Sequence, residues 1–159
     1  MKNVIRHSLV ILLISSIILT HELEDDFDLD LIDINQPKEK KKLIESLFPT
    51  PESTIGLKKT LEVLYKFLNN ISIENLHVVE QKHLKKPKSL TVEEQDILSS
   101  ANVVHVYLDH MLGEGHSNGA ITKQQLETLM NKEKYHEHAH RYADKLIEGM
   151  QDMLDKDLM

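Results

Sequence analysis

The chain has 159 residues, of which 28% are charged, 40% hydrophobic and 4% aromatic, with no Cys and no Trp. One domain of common size fits that length and two do not. Without cysteine there are no disulfides, thiolate zinc sites or cysteine nucleophiles. A balance of 26 acidic to 19 basic residues, net charge −7, argues against nucleic acid or an anionic membrane surface as main partner.

Residues 1–20 read as a secretory signal. Lys2 and Arg6 precede an apolar run from Leu9 to Leu19, interrupted by Ser15 and Ser16. The run is shorter than the roughly 20 apolar residues that span a bilayer. The expected location is therefore extracellular or the lumen of the secretory pathway, with no membrane contact after signal cleavage. Residues 21–37 form an acidic stretch with Glu22, Glu24, Asp25, Asp26, Asp28, Asp30 and Asp33, expected to remain a solvated segment because like charges repel. Pro37 ends it, and residues 38–159 are expected to form a helical domain.

The first helix is expected from Lys38 to Phe48, stopped by Pro49 and Pro51. Ser53 to Asn69 places Leu57, Leu61, Leu64 and Leu68 on one helical face, and Ile73 to Leu84 places Ile73, Leu76, Val79 and Leu84 likewise. Thr91 with Glu94 is a capping box opening a helix that buries Ile97, Ala101, Val104, Leu108 and Met111 or Leu112. Gly113, Gly115 and Gly119, three of the five glycines, then demand a loop. Thr122 with Gln125 is a second capping box, starting a helix with Leu126, Leu129 and Met130. The last helix, about Glu133 to Leu154, stacks Ala139, Ala143, Leu146, Met150 and Met153. No segment alternates with period two. The expected fold class is all-α, a small bundle of five or six helices.

The stretch from Glu114 to Leu126 resembles an EF-hand calcium loop and the start of its exit helix. Such a loop needs oxygen ligands at alternating places, a glycine at the sixth and a bidentate carboxylate at the twelfth. Gly119 falls on the glycine place, and Ile121 on the place where paired loops make a short β-bridge. Glu114, His116, Asn118 and Gln125 fall on ligand places, but His116 offers nitrogen and Gln125 is neutral. The resemblance implies a binding protein on an EF-hand-like scaffold, with calcium (Ca2+) binding weak or lost, and an expected pair for the loop. Asp155 and Asp157 near the end are the residues that would open a second one.

Ten histidines are many for this length. His136 and His140 share a helical face, so with His105 from the other long helix they are candidate zinc (Zn2+) or copper ligands. Asp109 and His110 are further candidates on that helix. The pentapeptide from His136 to His140 also matches the H-E-x-x-H pattern of zinc metallopeptidases, in which Glu137 would be the general base. No third ligand follows at the usual spacing and no strand is expected to hold a substrate, so no enzymatic activity is expected. Two further expectations concern partners: an unidentified protein, or a lipid or other small apolar ligand held between amphipathic helices.

Overall fold

In a computed structural model, residues 28–113 and 119–157 are described. The signal stretch 1–20, residues 21–27 of the acidic segment, and the loop residues Glu114, His116 and Asn118 lie outside them. Among the described residues there are six α-helices, two short 310 turns and one pair of two-residue strands. The all-α bundle is the observed architecture.

The described part of the acidic stretch is not a solvated tail. Leu29–Leu31 forms a 310 turn in which Leu29 is buried, and Ile32 is buried just after it. Asp30 accounts for the turn's docking. Its carboxylate accepts from the backbone N–H groups of Ile73 and Glu74 and from the Ser72 hydroxyl, at 3.0–3.2 Å. These are the unpaired donors of a helix N-terminus, so an acidic residue is favoured there. Burial opposes ionisation of Asp30, but those three donors outweigh it and hold the carboxyl below its usual range.

Helix α1 spans Pro37–Leu47, with proline in the first turn, where its missing N–H costs nothing. It buries Leu43 and Ile44. The chain then runs through Pro49 and Pro51 to strand β1, Thr54–Ile55. The helix expected from Ser53 begins instead at Leu57, because two β-branched residues take an extended path and Gly56 serves as N-cap. Helix α2, Leu57–Asn69, is the centre of the molecule. Leu61, Val63, Leu64, Tyr65, Phe67 and Leu68 are all buried, so it is covered on nearly every side. Asn70 closes it in the left-handed conformation (φ 50°), with the Ile71 N–H reaching back to the Tyr65 carbonyl.

Helix α3, Ile73–Lys85, is capped by Ser72 and buries Leu76, Val79 and Glu80. Leu84, expected on that face, is 41% exposed: it continues the spacing of Leu76 and Glu80 but lies in the last turn of the helix, past the buried part of the stripe. A 310 turn at Pro87–Ser89 leads to α4, Val92–Leu112. Its expected capping box is present, and Glu94 also binds Lys82 of α3 at 2.8 Å. Leu98, Ala101, Val104, Tyr107 and Leu108 are its buried residues. Strand β2, Ile121–Thr122, leads into α5, Lys123–Leu129, whose expected Thr122/Gln125 box is also present.

Helix α6, Lys132–Asp157, packs on α4. Tyr107 meets Tyr135 edge-to-face at 5.4 Å, whereas Leu98 shares a groove with Leu146, so the two helices run in opposite directions. Only the first half of α6 is covered. Residues 143–156 are exposed throughout, which overturns the expected burial of Ala143, Leu146, Met150 and Met153. Helix α6 begins beside Tyr107 and runs antiparallel to α4, so Met150 and Met153 pass the start of α4, whereas Ala143 and Leu146 line an open groove with Leu98. Asp155 lies inside α6 and so opens no loop.

Candidate functional site

The two strands pair antiparallel, Thr54 opposite Thr122 and Ile55 opposite Ile121. Each strand sits between two helices: α1 and α2 flank β1, and α4 and α5 flank β2. The loops of two helix–loop–helix units thus meet back to back, with Ile55 and Ile121 buried between them. Gly119 turns the chain just before β2 with φ +64°. A Cβ there would sit 3.7 Å from the backbone N of Leu57, the first residue of α2. A positive φ favours glycine over any side chain.

The register also compares the ligand places. Counting from Ile121 back to Glu114, His116, Asn118 and on to Gln125, the equivalent residues about Ile55 are Phe48, Thr50, Glu52 and Lys59. Phe48 is buried, and Lys59 is paired with Glu62 at 3.3 Å. An aromatic ring and an ammonium cannot ligate a hard cation, so this first loop does not fit calcium. In the second loop Gln125 is exposed and its Oε1 accepts from the Thr122 N–H at 2.9 Å. It completes the cap of α5 and contributes no charge. With Glu114 the only carboxylate among the ligand places, this loop does not fit tight calcium binding either.

The candidate zinc histidines are dispersed. His136 and His140 are exposed on α6, and Glu137 between them is ion-paired with Arg141 one turn on. His105 is half-buried on α4 with its Nδ1 3.4 Å from Asp109. The histidine that meets α4 is His138, whose ring lies 4.9 Å from that of His110 and 5.6 Å from Tyr107. The inner face of α6 is set by Tyr135, His138, Ala139 and Tyr142. His136 and His140 each follow an inner residue by one place, about 100° round the helix. Burial, and then the neighbouring His110, hold the His138 imidazole below its ordinary pKa. Among the described residues no group of three or more His, Asp or Glu is placed to hold a metal ion.

Sequence reasoning missed a buried polar pair. Glu80 of α3 is 2% exposed and its Oε2 finds no hydrogen-bond partner among the described residues. Tyr65 of α2 is equally buried, with its hydroxyl also unpartnered, and both burial and Glu80 push its pKa up. Burial raises the Glu80 carboxyl to about 7. The available signal was spacing: Glu80 follows Leu76 by four and Val79 by one, inside the apolar stripe.

Two grooves border these elements. One of about 420 Å³ runs between α4 and α6 and is lined mainly by apolar residues, among them Leu98, Val103, Ala139, Tyr142 and Leu146. Another of about 230 Å³ lies between the end of α4 and α5, against Met111, Leu112, Gln125 and Leu129. No helix among the described residues is long and apolar enough to cross a membrane. A scan against protein-family models and searches of curated proteins and of solved structures found no match to this chain.

Proposed function

We propose that the chain is a secreted, non-enzymatic binding protein built on two paired, EF-hand-like helix–loop–helix units in which calcium binding is weak or lost. The observation that carries this reading is the antiparallel pairing of Ile55 with Ile121 between two loops that each join a pair of helices. The ligand places support the loss of calcium: Phe48 and Lys59 in one loop, His116 and Gln125 in the other. The positive start and apolar run of residues 1–20 support export. On this reading the loops hold the helices at a fixed angle, and binding belongs to the helix surfaces.

A gain of function tests the scaffold. The triple variant Glu114→Asp/His116→Asp/Gln125→Glu restores oxygen donors and the closing bidentate carboxylate. Calorimetric titration with Ca2+ is expected to give at least about a tenfold tighter Kd than wild type, with the Gly119 and Ile121 amide resonances shifting on binding. A folded triple variant that binds Ca2+ no better than wild type would contradict the EF-hand-like reading.

A further inference from the structure

We propose that the groove between α4 and α6 and the bare apolar face of α6 form one docking surface, and that its occupant is an amphipathic helix with basic flanks supplied by another protein. Leu146, Ile147, Met150, Met153 and Leu154 are each 43–63% exposed. Their spacing of 0, +1, +4, +7 and +8 puts them on a single helical face. Such a run of large side chains in water is the mark of an interaction surface. Leu146 belongs to this face and also lines the groove, so the two surfaces are continuous. The groove supplies a cleft of about 420 Å³ beside the ridge, the geometry into which an amphipathic helix lays its apolar side. Two methionines on the ridge can reshape around leucine or isoleucine side chains. Asn102 lines the groove with its Oδ1 buried and unpartnered among the described residues, an acceptor for an incoming N–H.

Charge selects the occupant. On the exposed half of α6, Asp144 and Asp155 border one edge of the apolar face, Lys145 and Lys156 the other, and Glu148 and Asp152 lie behind it, leaving an acidic excess; Glu93 and Asp96 are exposed on the first turns of α4. A second copy of the chain would bring the same acidic excess to the same place, and like charges oppose that contact. A helix with lysine or arginine beside its apolar stripe meets an opposite potential. This assignment deepens the binding-scaffold reading and rests on it for the claim that the chain acts by binding.

The test uses the folded protein and synthetic helices about 18 residues long. One carries a leucine face with lysine flanks, one the same face with glutamate flanks, and one a scrambled lysine sequence without a face. The lysine helix is expected to bind at least about tenfold tighter than the other two, and to weaken as salt is added. Ile147→Ser/Met150→Ser, with helicity checked by circular dichroism, is expected to lose that binding. Asp144→Lys/Glu148→Lys is expected to move the preference toward the glutamate helix. Equal binding of the scrambled peptide, or full binding by the serine variant, would reduce the effect to nonspecific charge and overturn the proposal. A wild-type dimer in sedimentation equilibrium that the serine variant loses would also overturn it, assigning the face to a second copy. The calcium titration of the loop variant is read separately, so failure here leaves the scaffold reading standing.

Discussion

Replacing Tyr107 with alanine is expected to cost about 3–5 kcal/mol of stability, measured by urea unfolding. Tyr107 is fully buried where three elements converge. Its hydroxyl donates to the Leu129 carbonyl at the end of α5, at 3.1 Å. Its ring packs edge-to-face on Tyr135 and against His138, both of α6. Tyr135 in turn accepts from the Asn69 side chain of α2 at 2.7 Å. Large-to-small substitution here removes the ring, opens a cavity and leaves the final carbonyls of α5 short of a donor. Tyr107→Phe keeps the ring and loses only the hydrogen bond, so about 1 kcal/mol is expected. Equal, small losses for the two variants would show that α4, α5 and α6 do not meet at this side chain.

Glu80→Gln is expected to stabilise the protein by about 1–3 kcal/mol at pH 8 and to change nothing near pH 4. An uncompensated buried carboxylate costs most when it is charged. Because burial raises the Glu80 pKa from 4.5 to about 7, the folded state binds its proton more tightly than the unfolded state does. The stability associated with that proton is complete below pH 4.5 and is lost as pH rises to 7 and beyond. Glutamine carries no charge at any pH, so the difference between variant and wild type should open across that interval and then level off. Groups with lowered pKa act in the opposite direction: His138 loses stability as pH falls below its ordinary 6.5, and the carboxyls of Asp30, Asp33 and Glu94 do so at lower pH. Subtracting wild type from variant at each pH removes these contributions. A difference that is flat from pH 4 to pH 9 would contradict the buried, unpaired state of Glu80.

Both capping boxes were legible in the sequence, because a cap is a local interaction between residues three apart. So were Leu126, Leu129 and Met130, since α5 has one buried side and its periodicity shows it. Three features were not legible. Helix α2 is buried nearly all round, so the Leu57–Leu68 stripe understated its place at the centre. Helix α6 carries a clear apolar stripe, but a stripe does not say whether anything covers it, and beyond Leu146 nothing in the described chain does. The Thr54–Ile55 strand depends on its pairing with Ile121 and Thr122, far along the chain, a contact no local pattern encodes. That last feature also puts the strand partner of Ile121 at Ile55, whereas the sequence suggested a paired loop opening at Asp155 and Asp157, which lie inside α6. Of the candidate site residues, the histidines were recognisable as a cluster, but their distribution depended on which side of α6 faced α4. Tyr135 and Tyr142 flanking His138 decided that.

The absence of cysteine from the chain makes the join between the two units directly measurable. Thr54 and Thr122 are exposed and opposite each other in an antiparallel pair, where Cα atoms lie about 4.5–5.5 Å apart. That separation is within disulfide range. The variant Thr54→Cys/Thr122→Cys is expected to form an intramolecular disulfide almost completely under mild oxidation, and its oxidised form to unfold at a higher temperature than its reduced form. Thiols that stay free, or that link only between chains, would contradict the back-to-back pairing of the two helix–loop–helix units.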